Sequence, residues 1–208
     1  MDNFQKGFAG ISVPSVLATL VSDELDFPNL SMVGVDDRTA AYQAVSYLIQ
    51  QGHRKIAVLG GPATSYPSMM RRQGAQQAME DAGIPFNNLL YGLSNYDFES
   101  AYHAMNSLLV RRSEFTALFA MSDVIAFGAI RALVSAGMRV PEDVSVIGFD
   151  GITMSRYCVP VMTTIVQPSE QIALQSIELL VRQIEHGAPA QTVTLQPELQ
   201  RGESVRAI

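Results

Sequence analysis

The sequence predicts an α/β fold built from doubly wound parallel sheets, and three observations predict it. Short runs rich in Val, Ile and Leu alternate with longer stretches of helical period, the pattern of parallel strands joined by crossover helices. Gly52, Gly83 and Gly137 each follow such a stretch, where a residue past the helix C-cap is expected. A chain of 208 residues with 48% hydrophobic content can also bury a sizeable core.

The elements follow in order. A strand over 31–35 precedes Asp36 and Asp37, and a helix over 39–51 carries Tyr42, Val45, Leu48 and Ile49 on its apolar face. The next strand covers 55–59. Gly60-Gly61-Pro62 breaks it, and a helix from about Pro67 to Ala82 turns Met70, Gly74 and Ala78 inward. Residues 88–91 form a weak strand, Asp97 caps a helix ending near Arg111, and 117–120 is a buried strand. Ser122 caps a helix over 124–136, and a strand over 144–148 delivers Phe149 and Asp150 to its carboxyl end. An extended segment at 163–166 leads to a long helix capped by Ser169 and ending at His186, with Ile172, Ile177, Leu180 and Ile184 on its apolar side. A last strand spans 192–195.

Several function classes are disfavoured. No apolar run approaches the roughly 18 residues of a membrane span, and MDNFQKGFAG lacks the basic start and apolar run of a secretory signal, so the expected location is the cytoplasm. The single cysteine, Cys158, excludes an internal disulfide, and no metal or cofactor is expected. The net charge is -6, and basic residues adjoin no further than in pairs, as at Arg71-Arg72 and Arg111-Arg112, so nothing resembles a phosphate-tracking surface. His53, His103 and His186 stand at no metal-ligand spacing and form no triad. Ser65 lacks the G-x-S-x-G elbow, and Gly60-Gly61 belongs to neither GxxxxGK[ST] nor GxGxxG. The chain is therefore not expected to be an enzyme.

In an open parallel sheet, ligands bind outside the carboxyl ends of the strands. Those ends present Asp36 and Asp37, the 61–70 loop with Arg71 beyond it, Tyr96, Ser122 with Asp123, and Asp150. Carboxylates and a guanidinium suit vicinal hydroxyls, and a tyrosine face suits a sugar ring or a base. The mixture points to a neutral polyhydroxylated ligand.

Longer segments carry a resemblance. GHRKIAVLGGP at 52–62, followed by RRQGAQQAM from Arg71, is similar to the signature of the lactose/galactose-repressor (LacI/GalR) family of bacterial transcriptional regulators: Gly-His-x-x-Ile-x-x-(Leu/Ile)-x-Gly and then Arg-x-x-Gly. FAMSDVIAFGAIRALVSAGMRVPEDVSVIGFD at 119–150 resembles the family's most characteristic stretch, and PVMTTIVQP at 160–168 and PELQRGES at 197–204 match further. The resemblance covers 36–204.

It implies a periplasmic-binding-protein-like sensor of two α/β lobes, hinged by three crossing strands with the effector between them. The crossings fall near Val35, Ile165 and Leu195. Residues 1–35 and 166–192 are assigned to the N-terminal lobe, and 36–165 and 193–208 to the C-terminal lobe. Carried onto matching positions, the effector contacts are Arg71, Tyr96 and Asp150. Ser122-Asp123 stands where the family often has Asn-Asp, so Asp123 matches and Ser122 departs; Pro67 departs from a frequent Ser or Thr. These departures leave the effector's identity open. The family's first lobe opens with strands and helices before the segment resembling 13–26, and a helix-turn-helix headpiece precedes them. Neither is found here, so the first lobe is expected to be incomplete.

The expectation is thus the ligand-sensing and dimerisation domain of a repressor. Its partners are a small effector, a sugar or similar metabolite, and a second copy, with DNA reached only through a headpiece this chain lacks. Ile125, Phe127, Ile130, Leu133 and Val134 surround much of one helix, more than a single sheet-facing stripe requires, and suggest the dimer contact. The alternatives are a transport-type sugar-binding protein and an α/β enzyme.

Overall fold

The computed structural model describes residues 12–111 and 114–208; residues 1–11 of the expected N-terminal lobe, and Arg112 of the Arg111-Arg112 pair, lie outside them. In chain order the elements are β1 (Ser15–Ala18), β2 (Leu30–Val35), α1 (Asp37–Gln50), β3 (Ile56–Gly60), α2 (Tyr66–Asp81), β4 (Tyr91–Leu93), α3 (Phe98–Val110), β5 (Ala117–Ala120), α4 (Asp123–Ser135), β6 (Ser145–Asp150), β7 (Thr163–Val166), α5 (Ser169–His186), β8 (Thr192–Leu195) and β9 (Glu198–Gln200). Short 3-10 turns occupy Asn88–Leu90 and Thr153–Arg156. The α/β class and the alternation of strand and helix are as the sequence predicts.

The chain divides into two compact units, passing between them at Asp36-Asp37, Val166-Gln167 and Pro197-Glu198. The larger, Asp37–Val166 with Glu198–Ile208, holds a six-stranded sheet in the order β4-β3-β5-β6-β7-β9. Its first five strands are parallel, and β9 closes the edge antiparallel to β7. From β3 the chain steps outward to β4, then returns past β3 to β5 and β6. Right-handed crossovers therefore put α2 on one face and α3 and α4 on the other, and the switch point falls between β3 and β5. α1 packs with α2 and α3 with α4. Leu59, Phe119, Ile147 and Phe149 of the strands, with Leu48, Met105 and Leu133 of the helices, are fully buried in the core.

The smaller unit holds a parallel sheet in the order β1-β2-β8, with α5 against it. Ile172 and Leu179 pack on Val33, flanked by Val16, Val193 and Leu195. Ser31 Oγ donates to Gln183 Oε1 at 3.1 Å and ties the helix to β2.

Four expectations are corrected. β8 pairs with β2, so 193–197 go with the smaller unit and not with the larger lobe. Pro168 is the N-cap of α5, and Ser169 is its first residue without a side-chain cap bond. Of the apolar side proposed for α5, only Ile172 is buried: Ile177 and Ile184 are 62% and 63% exposed. The buried line instead runs Ile172, Leu179 and Gln183, spaced seven and four residues apart, because a helix seated on three strands buries one narrow stripe. The weak strand at 88–91 is displaced to Tyr91–Leu93, because Asn87 Oδ1 accepts from Leu89 N and closes a 3-10 turn first.

Candidate functional site

Three strand ends of the larger unit meet at its switch point. β3 ends in Gly60-Gly61, β5 continues into Met121-Ser122, and β6 ends at Asp150. α2 carries Arg71 on its buried side. Arg71 is 5% exposed; its guanidinium stacks over the Phe149 ring at 3.7 Å, donates from Nε to Asp37 Oδ1 at 2.7 Å, and donates from Nη1 to the Met121 carbonyl. Asp150 Oδ1 lies 3.5 Å from Nη1. Burial alone would lower the arginine's pKa, but Asp37 first and then Asp150 raise it above the ordinary value.

Tyr96 reaches the same place from the loop after β4. Its backbone is left-handed, with φ of 60°, and its ring lies against Gly61, where an added Cβ would meet Cε2 at 2.0 Å. The Tyr96 hydroxyl is buried and has no hydrogen-bond partner, although it is close enough to Arg71 to act on its charge. Arg71, Tyr96 and Asp150, widely separated in sequence, therefore converge on one rim.

Ser122 and Asp123, expected among the effector contacts, are engaged within the protein. Ser122 Oγ accepts from Ile125 N and caps α4. Asp123 is 0% exposed; its Oδ1 accepts from Thr164 Oγ1 at 2.6 Å and its Oδ2 from Ile152 N at 2.9 Å. Burial pushes its carboxyl up to about 6 against these bonds. Asp37, adjacent to the strand end in sequence but not singled out as Arg71's partner, is the residue that sequence reasoning missed; a pair formed across a separation of 34 leaves no local pattern.

Among the described residues no cluster of three His, Cys, Asp or Glu side chains could hold a metal, and no helix is long and apolar enough to cross a membrane. His53 is buried, near Thr116 and Arg206, and Cys158 donates to the Ser155 and Pro160 carbonyls.

The family model for the periplasmic binding protein-like domain matches residues 45–205. The structure of the Escherichia coli transcriptional repressor ascG superposes with a TM-score of 0.81 at 30% identity, over 99% of this chain and 74% of that one. The chain belongs to the LacI family of periplasmic-binding-protein-like regulators. Within the LacI family it is 38% identical over 172 residues to the HTH-type transcriptional repressor CytR of Escherichia coli K12, matching 83% of this chain and 50% of that protein. A structure described as a complex of the transcriptional regulator CelR with cellobiose has a TM-score of 0.83 at 30% identity, covering 98% of this chain and 69% of that one. The chain spans about half the length of the curated relatives it matches. These LacI-family relatives are transcriptional repressors and regulators, and the rim described above lies in the larger unit, within the matched residues.

Proposed function

We propose that this chain is the effector-sensing part of a cytoplasmic transcriptional regulator, and that it binds a small uncharged polyhydroxylated metabolite, a sugar or a relative of one, without transforming it. One observation carries the reading: the buried Tyr96 hydroxyl has no hydrogen-bond partner, and it sits beside the nearly buried Arg71 and the partly exposed Asp150. A buried, unpartnered hydroxyl leaves the rim short of a hydrogen-bond partner, and a ligand with hydroxyl or amide groups supplies it. The charge balance supports a neutral ligand. Two carboxylates, Asp37 and Asp150, flank the single cation, so an added phosphate would meet net negative charge. The cellobiose in the CelR complex is a neutral sugar of this kind.

The regulatory output is a change in DNA binding by a headpiece elsewhere in the regulator, with a homodimer of the sensing part as the transmitting unit. A thermal-shift screen against sugars and nucleobases tests the ligand reading. A ligand at 100 times its Kd adds about 2.7 kcal/mol of stability. Catalytic turnover of glycosides would overturn the reading in favour of an enzyme.

A further inference from the structure

Asp150 has φ of 107° and Gly151 has φ of 71°, so two successive residues at the end of β6 leave the region that L side chains prefer. Such an aspartate persists only where its surroundings over-determine it. Its surroundings are specific. The Asp123 carboxylate accepts from the N–H of Ile152 at 2.9 Å, and the N–H of Gly151, the residue before it on the turn, is close enough to favour the ionised form. The same carboxylate accepts from Thr164 Oγ1 at 2.6 Å on β7, and a Cβ at Gly148 would come within 2.2 Å of it. One fully buried side chain thus binds the turn from below on one side and the neighbouring strand on the other.

We propose that Asp123 is a positioning residue for the effector site: as a carboxylate it clamps the backbone of Asp150, Gly151 and Ile152 to Thr164 of β7 and so fixes how Asp150 faces Arg71. The inference rests on the reading of Asp150 as an effector contact, but the clamp itself is testable without an effector. Asp123 touches no ligand in this account. It governs the site through the turn, and it is the ionised form that holds the Ile152 N–H most strongly, because bonds to a charged acceptor are roughly twice as strong as neutral ones. The titratable groups facing it are Asp150, whose charge disfavours its ionisation, and Cys158, whose thiol is pushed up first by burial and only slightly by the Asp123 charge. Arg71 acts on the far side of Asp150. With the Asp123 carboxyl lifted to about 6 by burial, the clamp loosens as pH falls through that value.

Amide hydrogen exchange followed by NMR on the full chain tests this, with Asp123→Asn as the neutral isostere and Thr164→Val as a second variant. In the wild-type protein the protection factors of Gly151 and Ile152 are expected to fall about tenfold between pH 7.5 and pH 5, with those of Val146 and Ile147 within β6 unchanged. In Asp123→Asn they are low and independent of pH. Thr164→Val removes a bond that favours the carboxylate, so the midpoint moves to higher pH. Protection at Gly151 and Ile152 that ignores both pH and Asp123→Asn overturns the proposal, as does a uniform loss along β6, which would mark a merely structural role. Calorimetry with cellobiose and with adenine at both pH values forms a separate arm. Binding that weakens at pH 5 in the wild type but not in Asp123→Asn extends the clamp to the ligand. If neither probe binds, the effector reading loses support, and the amide measurement still decides the clamp.

Discussion

Arg71 and Asp37 form a buried ion pair, Nε to Oδ1 at 2.7 Å, in which both side chains are almost wholly removed from solvent. It joins the first residue of α1 to α2, and with the Phe149 ring beneath, it leaves the guanidinium little freedom. Removing one member strands the other as a buried charge. Asp37→Ala is therefore expected to lower unfolding free energy by about 3–5 kcal/mol, whereas Asp150→Ala, whose side chain is 27% exposed, changes it by less than about 1 kcal/mol. Urea denaturation measures the first effect, and ligand-induced thermal shift should be lost in Asp150→Ala although its stability is kept. Equal losses of stability in both variants would contradict the division between support and contact.

Gly61 is required where Tyr96 lies on it. A methyl group there would overlap the ring at 2.0 Å. Gly61→Ala should cost about 1–3 kcal/mol of stability through overpacking and weaken ligand binding more than Tyr96→Phe does. Calorimetric titration of the two variants with the effector found by screening checks the order.

The pH dependence has two opposing contributions. His53 Nε2 lies 3.2 Å from the Arg206 carbonyl, which can only accept, so Nε2 carries the proton and Nδ1 accepts from Thr116 Oγ1 at 2.9 Å. Burial lowers this histidine's pKa below 6.5, outweighing the carbonyl bond that raises it. Below 6.5 the unfolded chain takes up a proton that the native ring resists, so the stability tied to His53 is complete above that pH and is lost as pH falls towards the native pKa. Asp123 has the reverse sign: with its native pKa raised to about 6, the folded state binds the proton more readily, and its contribution grows as pH falls from about 6 towards the unfolded value of 3.8. Denaturation at pH 7.5 and 5.5 should show a smaller acid loss in His53→Gln than in the wild type and a larger one in Asp123→Asn. Identical slopes in all three proteins would refute both assignments.

Exposure along α5 gives a further contrast. Ile184→Lys, on the open side of the helix, should leave stability within about 0.5 kcal/mol, while Leu179→Ala, buried against Val33, should cost about 2–5 kcal/mol. Thermal unfolding of the two variants separates them, and a large loss from Ile184→Lys would mean that this face is covered.

These contrasts also mark how far the sequence was legible. The buried strand at 117–120 could be read directly, because an apolar run covered on both faces needs no alternation, and Arg71 was found because its motif is local. β1 gave no signal, since Ser15–Ala18 is short and only half-buried, and β9 none, since Glu-Leu-Gln on an antiparallel edge carries neither an apolar run nor a turn signal. Of the site, the rim residues were visible as side chains at strand ends. The roles of Asp37 and Asp123 were not: an acid in the first turn of a helix looks the same whether it faces water or, as both do, the interior. α5 failed for a related reason, because its apolar residues spread over a wide arc and periodicity does not say which part meets the sheet.

The last prediction concerns self-association through α3 and α4. Of the apolar residues around α4, Ile125 and Leu133 are core, Phe127 and Ile130 are half-buried, and Val134 is 52% exposed. On α3, which packs beside it, Phe98 is 47% exposed and shares with Glu99, Tyr102, His103 and Arg131 a surface cavity of about 510 Å³. Apolar rings beside a recess, rimmed by charged groups, make the mixed surface that homodimers bury. A stable interface covers about 1,200–2,000 Å² in total, more than these side chains provide alone, so association through this face is expected to be concentration-dependent, with monomer and dimer both populated. Sedimentation velocity over a range of concentrations measures the equilibrium. Val134→Glu should shift it towards monomer with little change in the unfolding midpoint, since Val134 is 52% exposed. A chain that stays monomeric at the highest concentration reached, or a Val134→Glu protein that dimerises as the wild type does, would place any contact between copies elsewhere.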